Sequence, residues 1–258
     1  MGEAMPGKPL GRKAYGSIPH IQGSRLGPGD WCLETAMSAL LTVKARWDDR
    51  YRDRVILTEK LDGSCVAVGR VDDAVVPLIR AGYDARNSPH KMHHDFARWV
   101  EAREARFRDR LASGERVPGE WLQVAHGTVY NLREDDELFV PFDLIVPGKD
   151  RGLPERRLPH DEQRERFAAM GLRGAQVLSD GPAVPVEQAL AMLEGNGFHG
   201  ATEAAEGVVY RLETNGAFNF LAKFVRADKA DGKYMVGVAG GTATEPVYNG
   251  PAALRWAA

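Results

Sequence analysis

Residues 58–64 read Thr58-Glu59-Lys60-Leu61-Asp62-Gly63-Ser64, a charged island between the apolar runs Val55-Ile56-Leu57 and Cys65-Val66-Ala67-Val68. Short apolar, β-branched runs bounded by polar residues read as strands, and Asp-Gly is a turn pair. Two strands joined across a short turn are therefore expected, with the turn presenting Glu59 and Lys60. An isolated Lys-x-Asp-Gly is most often a solvated turn. Its functional reading is a nucleophilic lysine. An unperturbed lysine titrates near about 10.4, so neighbouring cations, a metal or burial must favour the free amine for it to attack.

Outward from this island, residues 75–80 (VVPLIR) read as a further strand that Pro77 pushes towards a sheet edge or bulge. Residues 95–111 place Phe96, Trp99, Val100, Phe107 and Leu111 near helical spacing, with Asp95 near the N-cap. Trp99 and Phe107 are expected in the core, and the interleaved Arg103, Arg106, Arg108 and Arg110 on a solvated face. Residues 121–124 and 138–146 read as strands, and residues 161–170 and 186–193 as amphipathic helices. GVVYRLE (207–213) and FLAKFVR (220–226) are β-type segments joined through Asn215-Gly216, a hairpin pair. Strands at both ends with helices between them indicate an α+β fold. Residues 1–30, with Pro6, Pro9, Pro19, Pro28 and seven glycines, read as an extended arm, and residues 239–258 as a loosely held tail.

The chain has 258 residues, 43% hydrophobic and 27% charged, which fits a folded globular domain and excludes general disorder. Its net charge of −2 excludes a histone-like, charge-driven nucleic-acid binder but leaves room for a basic groove on one face. No membrane span is expected, because no stretch approaches the roughly 20 apolar residues that one needs. The N-terminal residues lack the apolar core of a signal peptide. With only Cys32 and Cys65, the expected compartment is the reducing cytoplasm. Gly7-Lys8, Gly148-Lys149 and Gly232-Lys233 are never followed by Ser or Thr, so there is no phosphate loop. No G-x-G-x-x-G and no G-x-S-x-G stands in a suitable context.

Further charged residues sit inside β-type segments: Glu120 in Gly119-Glu120-Trp121, Asp143 after Phe142, Glu206 before Gly207-Val208-Val209, and Lys223 in Ala222-Lys223-Phe224-Val225-Arg226. In this order they resemble the covalent nucleotidyltransferase superfamily of polynucleotide ligases and capping enzymes, and within it the ATP-dependent RNA ligase branch. Residues 60–63 resemble its motif I, 119–120 motif III, 142–143 motif IIIa, 206–209 motif IV and 222–226 motif V. Arg80, 20 residues after Lys60, stands where such ligases place an essential arginine. GEWLQVAHGTVY from Gly119 and PHIQGSRLGPGD from Pro19 also resemble family segments, the first with Ala125 one place late and with His126 at the family's histidine.

The resemblance implies an adenylyltransferase core over residues 31–238, with antiparallel sheets flanked by helices forming a nucleotide cleft. It implies that Lys60 takes AMP from ATP and passes it to a 5′-phosphate, which a 3′-hydroxyl then attacks. Arg80 and Lys223 would neutralise phosphate and depress the lysine pKa. Glu120 and Glu206 would hold ribose or Mg²⁺ (or Mn²⁺), and Phe142 would stack on adenine. The backbone at Glu59 would read the base edge, with Asp62 and Gly63 completing the nucleotide site. The partner implied is RNA with 5′-phosphate and 3′-hydroxyl ends, with a separate end-healing or substrate-binding protein beside a minimal core. One departure stands out. Where the family often has a second motif V lysine, this chain has Val225, and Arg226 is one residue out of register on a strand. A DNA ligase or GTP-using capping enzyme, and a catalytically dead nucleic-acid-binding module, remain as other readings of the same residues. His90, His93 and His94 are expected to form a loop into the following helix rather than a zinc site.

Overall fold

A computed structural model describes residues 7–43, 53–148, 154–238 and 240–257. The first six residues of the expected arm, and residues 239 and 258 of the expected tail, lie outside the described residues. The elements run α1 (Thr35–Thr42), β1 (Asp53–Lys60), β2 (Ser64–Val71), β3 (Ala74–Ile79), α2 (Lys91–Glu101) and α3 (Glu104–Arg108). They continue with β4 (Arg116–Trp121), β5 (Phe139–Pro141), β6 (Ile145–Val146), β7 (Arg156–Arg157), α4 (His160–Ala169) and β8 (Val177–Gly181). The chain then forms α5 (Val186–Ala191), β9 (Gly207–Thr214), β10 (Ala217–Val225) and α6 (Gly250–Leu254).

Two antiparallel sheets result, as expected for an α+β chain. One has the order β10-β9-β1-β8, the other β3-β2-β4-β6-β7 with β5 also on β4. The two strands around the charged island do not pair with each other. β1 pairs with β8 and β9, whereas β2 pairs with β3 and β4. The island is thus a crossing between sheets, not a hairpin turn. Close packing dictates its glycine: a Cβ on Gly63 would lie 2.6 Å from the Trp121 carbonyl oxygen. Asp62 secures the crossing, its N–H donating to the Tyr130 hydroxyl at 3.0 Å and its Oδ2 accepting from Gly127 N–H at 2.8 Å.

Each sheet has its own apolar layer. Phe96, Trp99, Phe107, Trp121 and Phe139 form an aromatic core between the β2–β4 sheet and helices α2 and α3. Leu41 of α1 and Ala189 of α5 pack with Val55, Leu57, Tyr210 and Leu212 on the other sheet. The helix expected over residues 95–111 is divided, because Arg103 leaves helical geometry at φ −127°, ψ 16°. The break returns Phe107 to within 5.9 Å of the Trp99 ring. His90, not Asp95, occupies the N-cap position of α2. Asp95 is buried inside the helix, where Lys91, Arg98 and Gln123 donate to it at 3.1, 2.6 and 2.8 Å. The strand expected from Trp121 ends there, its earlier half disguised by Pro118 and Gly119. The run expected over 138–146 splits into β5 and β6 around Asp143, a fully buried carboxylate that Arg157 and Arg211 neutralise.

The arm runs first along β3 and then along β10. Ala14 and Tyr15 N–H groups donate to the Arg80 carbonyl, and Ile21 N–H donates to Lys223 at 2.9 Å. The tail reading is corrected. Ala252 and Ala253 are buried, and Asn249 is fully enclosed. Asn249 Oδ1 accepts from Tyr130 N–H and its Nδ2 donates to the Leu122 carbonyl, both at 2.9 Å. Composition gave no hint of this, because buried hydrogen bonds of Asn249 and the packing of two small alanines hold the segment. No described helix is long and apolar enough to cross a membrane.

Candidate active site

Lys60 ends β1, and the antiparallel register sets it opposite Gly207 at the start of β9. Glu206, one residue earlier, therefore meets its side chain, and Lys60 Nζ donates to Glu206 Oε2. On the next strand Lys223 pairs with Val209, and Val225 with Gly207. Gly207 has no room for a side chain, since a Cβ would collide with the Phe224 carbonyl on β10. Glu120 comes from the other sheet. It lies opposite Cys65 in the β2–β4 pairing, and its Oε1 accepts from Gly63 N–H at 2.9 Å. Two sheets thus meet at one lysine.

Lys60, Glu120 and Lys223 line a cavity of about 1180 Å³. Arg80, just past β3, lines it, and its Nη2 donates to Ser17 Oγ of the arm at 2.9 Å. Phe142 forms one apolar wall, edge-on to Tyr15 with ring centroids 5.0 Å apart, in a cluster that includes Val209 and Leu221. Asp143 beside it points into the protein as a structural ion-pair partner of Arg157 and Arg211. The Glu59 carboxylate also turns away from Lys60: its Oε2 accepts from Phe198 N–H at 2.8 Å and hydrogen-bonds His199 Nδ1 at 3.0 Å. Glu59 N–H donates to the Gln176 carbonyl at 3.0 Å, and the residue lines the cavity.

The electrostatics differ from expectation. Burial alone would lower the Lys60 pKa, but Glu206, Asp62 and Glu120 outweigh it and hold the ammonium above the ordinary lysine value. The repulsion from neighbouring cations such as Lys223 is thus outweighed by the carboxylates in this arrangement. Burial pushes the Glu120 and Glu206 carboxyls up to about 7, against the opposing pull of Lys60. Lys223 is lowered by burial and by Lys60. Glu120 and Glu206 are hard oxygen donors beside phosphate-sized space, which suits Mg²⁺ or Mn²⁺ completed by substrate oxygens and water. Among the described residues, no group of three or more His, Cys, Asp or Glu could hold a metal by itself.

A family model for RNA ligase matches residues 53–225. The chain belongs to the RNA ligase family. No curated protein sequence matches it. Among solved structures, a Naegleria gruberi RNA ligase variant with ATP and Mn aligns at TM-score 0.50 and 18% identity, over 83% of this chain and 60% of that one. The same ligase with pyrophosphate gives TM-score 0.49 and 20% identity, over 80% and 58%. An archaeal ATP-dependent RNA ligase gives TM-score 0.43 and 20% identity, over 67% and 43%. The chain thus spans between two-fifths and three-fifths of the length of these ligases.

In this RNA ligase family member the structure brings Lys60, Lys223, Glu120, Arg80 and Phe142 to one cavity, with Glu206 behind Lys60 as its hydrogen-bond partner, while Asp62 and Gly63 shape the crossing beside it. Glu59 contributes through its place in the strand. Asp30 and Asp231 also line the cavity, and sequence reasoning missed both. Asp30 closes the PHIQGSRLGPGD segment, where its Oδ2 sits 3.0 Å from His20 Nε2 and its Oδ1 3.7 Å from Lys223 Nζ. Asp231, in a loop with no periodic pattern, carried no signal. His93 hydrogen-bonds Ser64 and Ser88, and His94 donates to the Ser88 carbonyl, while His90 and His93 also line the cavity. His126 lines the cavity with its Nε2 buried and without a hydrogen-bond partner among the described residues.

Proposed function

We propose that this chain is an ATP-dependent RNA ligase that seals 5′-phosphate and 3′-hydroxyl ends through a covalent lysyl-AMP on Lys60. The observation that carries the reading is the register of β1, β9 and β10, which sets Glu206 on Lys60 and brings Lys60 and Lys223 to the same cavity. A solvated turn lysine would have no reason to be enclosed by three carboxylates. Lys60 Nζ attacks the α-phosphorus of ATP; a P–N bond forms, the bond to the bridging oxygen breaks, and pyrophosphate leaves. Lys60 must lose a proton first, and Glu206, already hydrogen-bonded to Nζ, is the nearest acceptor. AMP then passes to the RNA 5′-phosphate, freeing Lys60, and the 3′-hydroxyl displaces AMP to form the phosphodiester.

Arg80 and Lys223 neutralise charge that develops on the phosphates. Phe142 stacks on the adenine from the apolar wall that also holds Val209. Glu120 and Glu206 hold ribose or a divalent cation, which when bound supplies further neutralisation of the triphosphate. An RNA ligase variant of similar fold was solved with ATP and Mn, which makes that pair the first to test. An end-healing enzyme that leaves 5′-phosphate and 3′-hydroxyl termini is the partner this chemistry calls for.

The test is incubation with α-labelled ATP, and separately GTP, with Mg²⁺, followed by a denaturing gel. A labelled, acid-labile band with ATP alone, absent in Lys60→Ala, is the expected result. A band with GTP would redirect the reading to capping chemistry. No band from folded wild-type protein would overturn it in favour of a binding module.

A further inference from the structure

A second cavity, of about 550 Å³, meets the first at Gly16 of the arm, which lines both. Among the described residues its walls carry Arg12, Lys13, Arg116, Arg156 and Arg157 against one carboxylate, Glu155. The chain as a whole has a net charge of −2, so this concentration of positive charge is a product of the fold and not of composition. Arg156 and Arg157 form β7, the edge strand beside β6. Arg12 and Lys13 come from the arm, immediately before Ala14 and Tyr15 dock on the Arg80 carbonyl.

Two of these cations are engaged inside the protein. Arg116 is buried, and it donates through Nη2 to Glu155 at 2.8 Å and through Nε to the Ala14 carbonyl at 2.6 Å. Arg157 holds the buried Asp143 and lies over the Tyr15 and Phe218 rings, 5.1 Å from each centroid. These pairs fix the wall. Three exposed cations remain. Arg12 reaches Glu155 only at 3.4 Å, and Glu155 is already forked onto Arg116. Lys13 and Arg156 have no ion pair and no side-chain hydrogen bond among the described residues. Like charges gathered on one concave wall repel, and a polyanion relieves that repulsion. Phosphate suits the site, because guanidinium forms charge-assisted, forked bonds to phosphate oxygens. The spacing suits a nucleic-acid strand. Phe218, on the wall of the second cavity, stands five residues before Lys223 on β10. That is about 17 Å along the strand, or roughly five base steps of a helical nucleic acid.

We propose that Arg12, Lys13 and Arg156 bind backbone phosphates of the RNA strand whose end lies in the first cavity, several nucleotides from the junction to be sealed. The identity of the strand rests on the ligase reading above, whereas the contact is to phosphate and needs no chemistry at Lys60. A defect is therefore expected in RNA binding and not in the reaction with ATP.

The experiment measures two things in the full chain: binding of fluorescent RNA with a 3′-deoxy end, which cannot be sealed, across a salt series, and labelling of Lys60 from α-labelled ATP. The triple variant Arg12→Gln, Lys13→Gln, Arg156→Gln should bind RNA about 10- to 100-fold more weakly, with the slope of log K against log salt shallower by about 2 to 3. Its labelling should stay within about threefold of wild type. The double variant Arg12→Lys, Arg156→Lys keeps the charge and should keep the wild-type slope. A control triple, Arg108→Gln, Arg110→Gln, Arg133→Gln, makes the same change in net charge at exposed residues that line neither cavity, and it should leave binding near wild type. An unchanged slope in the first triple overturns the proposal. Equal weakening by the two triples also overturns it, because bulk charge would then be the cause. A matching loss of labelling overturns it as well, because the residues would then serve the ATP cavity or the fold. Wild-type protein that binds RNA but labels with no nucleotide overturns the ligase reading alone, since the binding assay still decides this proposal.

Discussion

Burial alone would lower the Lys60 pKa, yet Glu206, Asp62 and Glu120 surround the ammonium and hold it charged. Glu206 is the first of these and the direct hydrogen-bond partner, so its carboxylate should dominate. In Glu206→Gln the Lys60 pKa should fall below its wild-type value, because desolvation then meets less opposing charge. Titration of the isotope-labelled lysine amine in metal-free protein checks the sign; an unchanged or higher pKa would mean that Asp62 and Glu120 set it. Residues of this kind were legible because a charge within a β-type run is unusual. Lys60, Glu120, Glu206 and Lys223 each interrupt such a run, and Gly63 and Gly207 mark close backbone approaches. Asp30 and Asp231 were not legible. Both sit in Gly-containing loops, where a carboxylate is the most ordinary surface residue.

At the scale of elements, the strongest departure from expectation is the C-terminal segment. Asn249 places its amide between Tyr130 N–H and the Leu122 carbonyl, tying α6 to the loop whose Tyr130 hydroxyl receives the Asp62 N–H. Asn249→Ala should leave those buried backbone groups unpaired and destabilise the protein by about 2–4 kcal/mol. The lower urea midpoint should come with an unchanged m value; a loss under about 0.5 kcal/mol would show that the segment is dispensable. Most strands were readable from apolar runs, but β7 and β8 were not, nor were the strand limits. β4 hides behind Pro118 and Gly119, and the buried Asp143 divides β5 from β6. The α2–α3 break follows from bringing Phe107 back to Trp99, which helical spacing alone does not require.

The response of the whole molecule to pH is a balance of opposing groups. Burial holds the Glu120 and Glu206 carboxyls up near about 7, so their protonation on acidification favours the folded state. Burial lowers His93 from 6.5 to about 4, and lowers His20 and His160 as well. For these the unfolded chain takes up protons first, so their contribution is complete above pH 6.5 and is lost as pH falls towards the folded value. Replacing one histidine isolates its share, since the carboxyl contribution cancels in the difference. Relative to His93→Gln, wild type should lose on the order of 2 kcal/mol between pH 7 and 4. Parallel urea midpoints for the two proteins across that range would disprove it. The amino-acid sequence by itself determined the α+β class, the Asn215-Gly216 hairpin, a lysine in a charged island between two strands and the order of charged residues that resembles an RNA ligase. These depend on local patterns of burial and turn chemistry, which a few consecutive residues specify. Only the tertiary structure decided that β1 and β2 belong to different sheets, that the arm carries Asp30 and Arg25 to β10, and that Glu206, 146 residues away, meets Lys60. Register between distant strands is set by the packing of all of them together, and no local window contains that information.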